Sequence, residues 1–344
     1  MSELGVVILA AGQGTRMRSK RQKILHEVGG RPMVAHVFAA ATAVSHVPPV
    51  LVIGPSGGEA VRALLGEQAL YVEQPEQLGT GHATKMARSV LRGRTQQVLV
   101  TYADMPLLRA GTMQKLATVQ AETGVAVVML SVIGDPKSSF GRVVRDGNGR
   151  VVEIVEVTDA RRRPNATELL AIREQNAGIY CFDAEWLWNN LDQLPLHQAR
   201  SGPEYYLTDL IEMAVGQGRG VEALVAEDPD ECLGAGTRAE LAVVEQAFRR
   251  RVNRYWLEQG VTLIDPATVY IDDTAQIGQD TIIWPNSYVQ GQTVIGEDCV
   301  IGPNAIVRDA RLGDGCIVTQ AVVEKVELAS GTQVMPFTVV RGED

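Results

Sequence analysis

From residue 271 onward the chain repeats itself every six residues. Ile271, Ile277, Ile283, Val289, Ile295, Ile301 and Val307 follow one another at that spacing without a gap. Four residues after each of the first six stands a small residue: Ala275, Thr281, Ser287, Thr293, Cys299 and Ala305. Neither the helical period nor simple strand alternation produces a strict six. A hexapeptide repeat is the signature of a parallel β-helix, whose coils stack and bury an aliphatic ladder. The spacing slips near Leu312, where the reading of the last coil weakens. We read these repeats as structural rather than ligand-binding.

The first two thirds of the chain has another rhythm. Val6-Val7-Ile8-Leu9, Val50-Leu51-Val52-Ile53, Val98-Leu99-Val100-Thr101-Tyr102 and residues 125–132 are short runs dominated by apolar residues, with helical patterns such as 33–43 between them. Such runs belong to strands covered on both faces, and the helices between them make the crossovers of a parallel sheet. The expected fold is therefore α/β, a Rossmann-like domain with a mostly parallel sheet at 1–236, followed by a parallel β-helix at 261–344. Residues 237–260 predict a connecting helix, because Leu241, Val244, Phe248, Val252 and Trp256 share one face and Gly260 ends it.

Several classes are excluded. The net charge is −9 and no run of Lys or Arg forms a nucleic-acid footprint; Arg249-Arg250-Arg251 lies in the helical pattern and reads as its solvated face. The N-terminus lacks a basic leader, and no apolar stretch reaches membrane-spanning length. Cys181, Cys232, Cys299 and Cys316 are widely spaced and suggest neither a zinc site nor a disulfide framework. A soluble cytoplasmic protein with no nucleic-acid or membrane partner is expected.

Ligands of open α/β sheets gather at the carboxyl ends of strands. Directly after the first strand comes Leu9-Ala10-Ala11-Gly12-Gln13-Gly14-Thr15-Arg16-Met17, with Lys23 a little further on. Small residues at a strand-to-helix turn let backbone N–H groups approach phosphate oxygens, and Arg16 and Lys23 can neutralise a triphosphate. The pattern is neither a Walker A loop nor the dinucleotide fingerprint, which needs a third glycine where Met17 stands. Asp104, two residues past the 98–102 run, is placed to hold a hard cation through a carboxylate oxygen.

Leu9–Met17 together with Lys23-Ile24-Leu25-His26 resembles the signature of the sugar-1-phosphate nucleotidyltransferases, and within them the bacterial bifunctional N-acetylglucosamine-1-phosphate uridyltransferases. Glu73–Ala83 is similar to that family's uracil-reading segment. The resemblance implies that Gln74 reads uracil while Gly79 and Thr80 line the base and ribose pocket. An amide suits the base because it donates and accepts along one edge. His82 in the same segment reads as the opening of the next helix. Asp104 would bind Mg²⁺. Gly141, Glu156, Asn176, Tyr206 and Thr208 fall in segments similar to the family's sugar-binding strands. The resemblance also implies a left-handed β-helix and a homotrimer assembled through it, which would cover the exposed flank of so short a coil.

The chain departs from the family in places. Gln22 stands where Pro is usual before the lysine, Val157-Thr158-Asp159 replaces a Lys after the glutamate, and Ala177 replaces Thr. Gly236 occupies the position of a second Mg²⁺ ligand, so the ion rests on Asp104 with phosphates and water, or Asp228 or Asp230 takes part. Met335–Arg341 resembles the stretch where the family's acetyltransferase site begins, but the catalytic histidine and later residues have no counterpart, so no acetyl transfer is expected. The expected reaction is Mg²⁺-dependent transfer of UMP from UTP to N-acetylglucosamine 1-phosphate. The alternatives are another sugar or base, or a non-catalytic trimeric scaffold.

Overall fold

A computed structural model describes residues 3–55, 57–199 and 202–342. The chain divides into two compact units, Met1–His26 with Met33–Arg238, and Glu27–Pro32 with Ala239–Asp344.

The first unit is built on a nine-stranded sheet. Its strands are β1 (Leu4–Ala10), β2 (Val50–Ile53), β3 (Leu70–Glu73), β4 (Gln97–Tyr102), β5 (Val127–Ile133), β6 (Arg142–Arg145), β7 (Val151–Val155), β8 (Glu174–Asp183) and β9 (Val221–Val225). Across the sheet the order is β9-β5-β8-β4-β1-β2-β3, with β6 hydrogen-bonded to β8 and to β7 at the side. Strands β1 to β4 are mutually parallel, as are β5 and β9. The expected mostly parallel sheet is found, with β8 wedged antiparallel between β4 and β5.

Alternation along each strand divides the apolar residues between two cores. Leu4, Val6, Ile8 and Ala10 of β1 join Leu51, Ile53 and Leu99 on one face, while Val7, Val50, Val52, Val98 and Val100 face the other. Helix Met33–Thr42 covers the first face with Val34, Val37, Phe38 and Ala41. Helix Asp209–Gly216 covers the second with Leu210, Ile211 and Ala214. Both cores stop at the carboxyl ends of β1 and β4, where the chain must turn and the polar residues begin.

The second unit is a left-handed parallel β-helix preceded by helix Arg238–Glu258. Ile277 pairs with Ile295, Ile283 with Ile301, and Val289 with Val307, each eighteen residues on, which is three hexapeptides per coil. Ile283, Val289, Ile301 and Val307 are completely buried, and so are the small residues Thr281, Ser287, Thr293, Cys299 and Ala305. Thr281 shows how polar members of that row are tolerated: its Oγ1 donates to the Gly296 carbonyl at 2.8 Å and accepts from the Cys299 N–H at 3.1 Å. Beyond Leu312 the coil tightens instead of breaking. Val307 pairs with Val323, Leu312 with Leu328, and Val318 with Val334, all sixteen residues on.

Corners of the coil lie in the left-handed backbone region, and Asp280, Asn286, Asp298, Asn304 and Asp309 occupy several of them. Those residue types accept positive φ more readily than others. The helix is tied to the coil by Asn253, whose Nδ2 donates to the carbonyls of Pro266 at 2.7 Å and Val269 at 3.0 Å. No helix among the described residues is long and apolar enough to cross a membrane.

Candidate active site

The carboxyl ends of β1 and β4 open into a cavity of about 790 Å³. Its floor on one side is Leu9 and Ala10 at the end of β1 with Ala11 and Gly12 of the turn that leaves it. Lys23 enters from the 3₁₀ turn Lys23–Leu25 and forms an ion pair with Asp104, which follows β4. The two residues are 81 positions apart in sequence and meet because β1 and β4 are parallel neighbours. Arg16 stands exposed on the turn Thr15–Met17, outside the cavity lining; Gly14, half-buried just before that turn, is outside it too.

Gln74, at the carboxyl end of β3, is 3% exposed and lines the same cavity with Gly79 and Thr80. Its Nε2 donates to the Gly79 carbonyl at 3.1 Å and lies 3.1 Å from His82 Nδ1. The amide's donor end is therefore held within the protein, which differs from an amide free to donate and accept toward a base. Gly79 has a φ of +88°, and a Cβ there would stand 2.6 Å from the Tyr205 carbonyl oxygen. Thr80 Oγ1 accepts from the Leu207 N–H at 3.0 Å, and the Tyr205 N–H donates to the Leu78 carbonyl at 2.8 Å. These bonds fasten the segment 78–80 to the segment 205–207, which delivers Tyr206 and Thr208 to the cavity.

Glu156 and Asn176 complete the far side. Burial pushes the Glu156 carboxyl above its ordinary value, the Asp159 and Asp209 carboxylates add to the effect, and Arg142 opposes it. Asn176 is committed within its own strand: Oδ1 accepts from the Gly178 N–H at 2.9 Å and Nδ2 donates to the Tyr180 hydroxyl at 2.7 Å. It thereby holds a break in the β5–β8 register between Asn176 and Tyr180. Gly178 makes that break possible, with φ +81° and Tyr102 Cε2 2.5 Å from where a Cβ would sit. One Nδ2 hydrogen of Asn176 remains for a ligand. Gly141 is outside the lining but adjoins it; its carbonyl accepts from the Asn176 N–H at 2.9 Å and a Cβ there would reach 3.2 Å from Glu156 Oε1.

Tyr206 stacks on His197 with ring centroids 4.5 Å apart, and His197 Nε2 is 2.7 Å from Asp209 Oδ2. Burial raises the Tyr206 hydroxyl pKa, with Glu204 and other nearby carboxylates acting in the same direction. The tyrosine is therefore a neutral hydroxyl able to donate and accept.

Several lining residues were not singled out from sequence. Gln77 donates from Nε2 to the Ala11 carbonyl at 2.5 Å and so joins the turn after β1 to the segment after β3; its place between Gln74 and Gly79 was the available signal. Tyr102 and Glu204 flank the cavity from positions beside Asp104 and Tyr206. Thr158, noted only as a departure, is also in the lining.

The donor set suits a cation that arrives on phosphates. Among the described residues no three His, Cys, Asp or Glu side chains form a metal-binding group. Mg²⁺ with a nucleotide needs only one or two carboxylates, the other ligands being phosphate and water, and Asp104 meets that need. Asp228 accepts from Arg109 Nη2 at 2.7 Å and from the Asp230 N–H at 3.1 Å, and neither aspartate lines the cavity. The Ala235 N–H donates to the Asp104 carbonyl at 3.1 Å, so the loop containing Gly236 runs beside Asp104 without offering a carboxylate.

Residues 6–193 match the family model described as MobA-like NTP transferase domain, and residues 274–309 match the bacterial transferase hexapeptide (six repeats). Together with the cavity at the strand ends, this defines a sugar-1-phosphate nucleotidyltransferase. The chain is 43% identical over 335 residues to the bifunctional protein GlmU of Exiguobacterium sibiricum, covering 97% of this chain and 73% of that protein. It is 42% identical over 342 residues to the bifunctional protein GlmU of Heliobacterium modesticaldum, covering 99% and 73%. It belongs to the bifunctional GlmU family. Among solved structures, CMP:2-keto-3-deoxy-manno-octonic acid synthetase complexed with CTP superposes with a TM-score of 0.54 at 18% identity, over 73% of this chain and all of that one, a likeness of fold.

Proposed function

We propose that this chain transfers UMP from UTP to N-acetylglucosamine 1-phosphate, giving UDP-N-acetylglucosamine and pyrophosphate. The observation that carries the reading is one cavity joining a glycine-rich strand-end turn, the Lys23–Asp104 pair, the Gln74 amide and the hydroxyl- and carboxylate-bearing wall of Glu156, Tyr206 and Thr208. The first half suits a nucleoside triphosphate, and the second suits a polyhydroxylated ligand.

In this reading the backbone of Ala11 and Gly12 and the Lys23 ammonium hold the triphosphate. Arg16, exposed at the end of the same turn, adds charge at the rim. Mg²⁺, held by Asp104 together with phosphates and water, would neutralise charge on the phosphates as pyrophosphate departs. A phosphate oxygen of the sugar 1-phosphate attacks the α-phosphorus in line. That oxygen is already anionic, so no general base is needed and catalysis comes from positioning and charge neutralisation. A homotrimer formed through the β-helix is part of the proposal. Acetyl transfer by these 344 residues is not expected, since all five histidines precede residue 198 and none lies in the coil.

The test is pyrophosphate release with Mg²⁺, each nucleoside triphosphate and a panel of sugar 1-phosphates. Fastest release with UTP and N-acetylglucosamine 1-phosphate supports the reading. A different best pair replaces the substrates, and no release from folded protein replaces the function.

The raised Glu156 pKa makes a further prediction. As pH falls, Glu156 protonates before ordinary carboxylates do, and the sugar loses an acceptor. The sugar KM should therefore rise from a pH above the ordinary carboxylate range, and Glu156→Gln should raise KM about tenfold at neutral pH while flattening that dependence. Stability runs the other way. A folded pKa raised above the unfolded one disfavours the folded state once pH exceeds it, so the Gln variant should melt higher at neutral pH and lose that advantage on acidification. An unchanged KM profile would remove Glu156 from the sugar site.

A further inference from the structure

Gln74 is nearly buried, and every partner of its amide lies at one end. Nε2 carries two hydrogens. One goes to the Gly79 carbonyl, which can only accept and so settles which end of the amide is nitrogen. The other faces His82 Nδ1 at 3.1 Å, which requires the tautomer protonated at Nε2. Oε1 has no partner among the described residues and belongs to a side chain lining the cavity. His82 sits in the first turn of helix Gly79–Met86, on the same segment as Gly79.

We infer that His82 is a positioning residue that sets the choice of base. By accepting the second Nε2 hydrogen, it exhausts the donors of Gln74 and leaves a lone carbonyl oxygen facing the nucleotide. The inference rests on the reading of this cavity as a uridyltransferase site. Uracil presents an N3–H, which that oxygen accepts. Cytosine presents a lone pair at N3, which it repels. Without an acceptor at residue 82, the amide keeps one free N–H and can swing to offer it to cytosine. A buried polar group that the wrong ligand leaves unpaired is the strong form of discrimination, and an amide able to adapt abandons it.

The experiment compares kcat/KM for UTP and CTP, by pyrophosphate release, in the wild type and three variants. His82→Phe keeps the ring volume without an acceptor, His82→Ala removes both, and His82→Asn restores an acceptor oxygen near the position of Nδ1. Circular dichroism and thermal melting establish that each is folded, and the Phe and Ala variants cover for one another. The expected result is a UTP preference that shrinks about tenfold or more in the Phe and Ala variants, through a higher KM for UTP and a lower KM for CTP with kcat little changed, while Asn stays within about threefold of wild type. A wild type selective for UTP, with folded Phe or Ala variants equally selective, overturns this inference alone. An Asn variant as permissive as Ala overturns the acceptor role. A wild type indifferent to UTP and CTP overturns the base assignment and this inference with it.

Discussion

Asp104→Asn should lower the rate of pyrophosphate release about a thousandfold, corresponding to several kcal/mol of lost charge stabilisation, while leaving the fold intact. The substitution preserves shape and removes only charge. Asp104 is the carboxylate delivered by the carboxyl end of the central strand β4, and neither Asp228 nor Asp230 lines the cavity to replace it. The change also leaves the Lys23 ammonium without its counter-charge. Nucleotide affinity without metal should therefore rise or hold, since Lys23 is released toward the phosphates, whereas Mg²⁺-dependent turnover collapses. Rates titrated against Mg²⁺ separate the two effects. A variant that reaches the wild-type rate at saturating Mg²⁺ would make Asp104 a contributor to metal affinity only, and one unaffected at any concentration would place the chemistry elsewhere.

Gly79→Ala should destabilise the first unit by about 3 kcal/mol, the sum of left-handed backbone strain and a clash with fixed atoms. The obstacles are backbone: the Tyr205 carbonyl oxygen 2.6 Å from the new methyl and its nitrogen 2.9 Å away. Neither can rotate aside. Relief requires the segment 204–207 to move off the segment 78–80, breaking the Leu78–Tyr205 and Thr80–Leu207 hydrogen bonds. Tyr206 and Thr208 travel with it. A melting point lower by roughly 5–10 °C should then accompany a higher KM for both substrates, although the residue lies in the segment proposed to hold the nucleotide. A variant that raises only the nucleotide KM would show the two segments to be uncoupled.

Much of the fold was legible because its signals are periodic. The six-residue ladder specified the coil up to Val307, and runs such as Val98–Tyr102 announced strands covered on both faces. What periodicity does not encode is direction. Nothing in Glu174–Asp183 states that it runs against its neighbours, because apolar alternation reads the same from either end. The tightened coils past Leu312 escaped for a related reason: the corners, not the inward ladder, absorb the missing residues.

The site divides in the same way. Residues just past strand ends, such as Ala11 and Asp104, could be placed from local sequence because the sheet brings strand ends together. Side-chain commitments could not. Gln74 looked like an amide free at both ends until the Gly79 carbonyl and His82 accounted for its donors. Asn176 looked like a ligand-facing amide until Tyr180 and the Gly178 N–H took most of its capacity. Arg16 sits outside the cavity lining, its side chain exposed on the 3₁₀ turn Thr15–Met17 while Met17 of the same turn is buried.

The tightening of the coil from eighteen to sixteen residues has a consequence for how this unit tolerates change. Each inward side chain keeps its place above the one below while the corners lose residues. Length variation is therefore absorbed locally, and shortening one corner need not disturb the stacking of the next coil. Removing a residue within a two-residue strand such as Val300–Ile301 turns that rung's apolar side chain outward and leaves a gap in the ladder. Indels in this domain should be sorted by whether they fall on a corner or on a rung, a distinction that sequence length alone does not make.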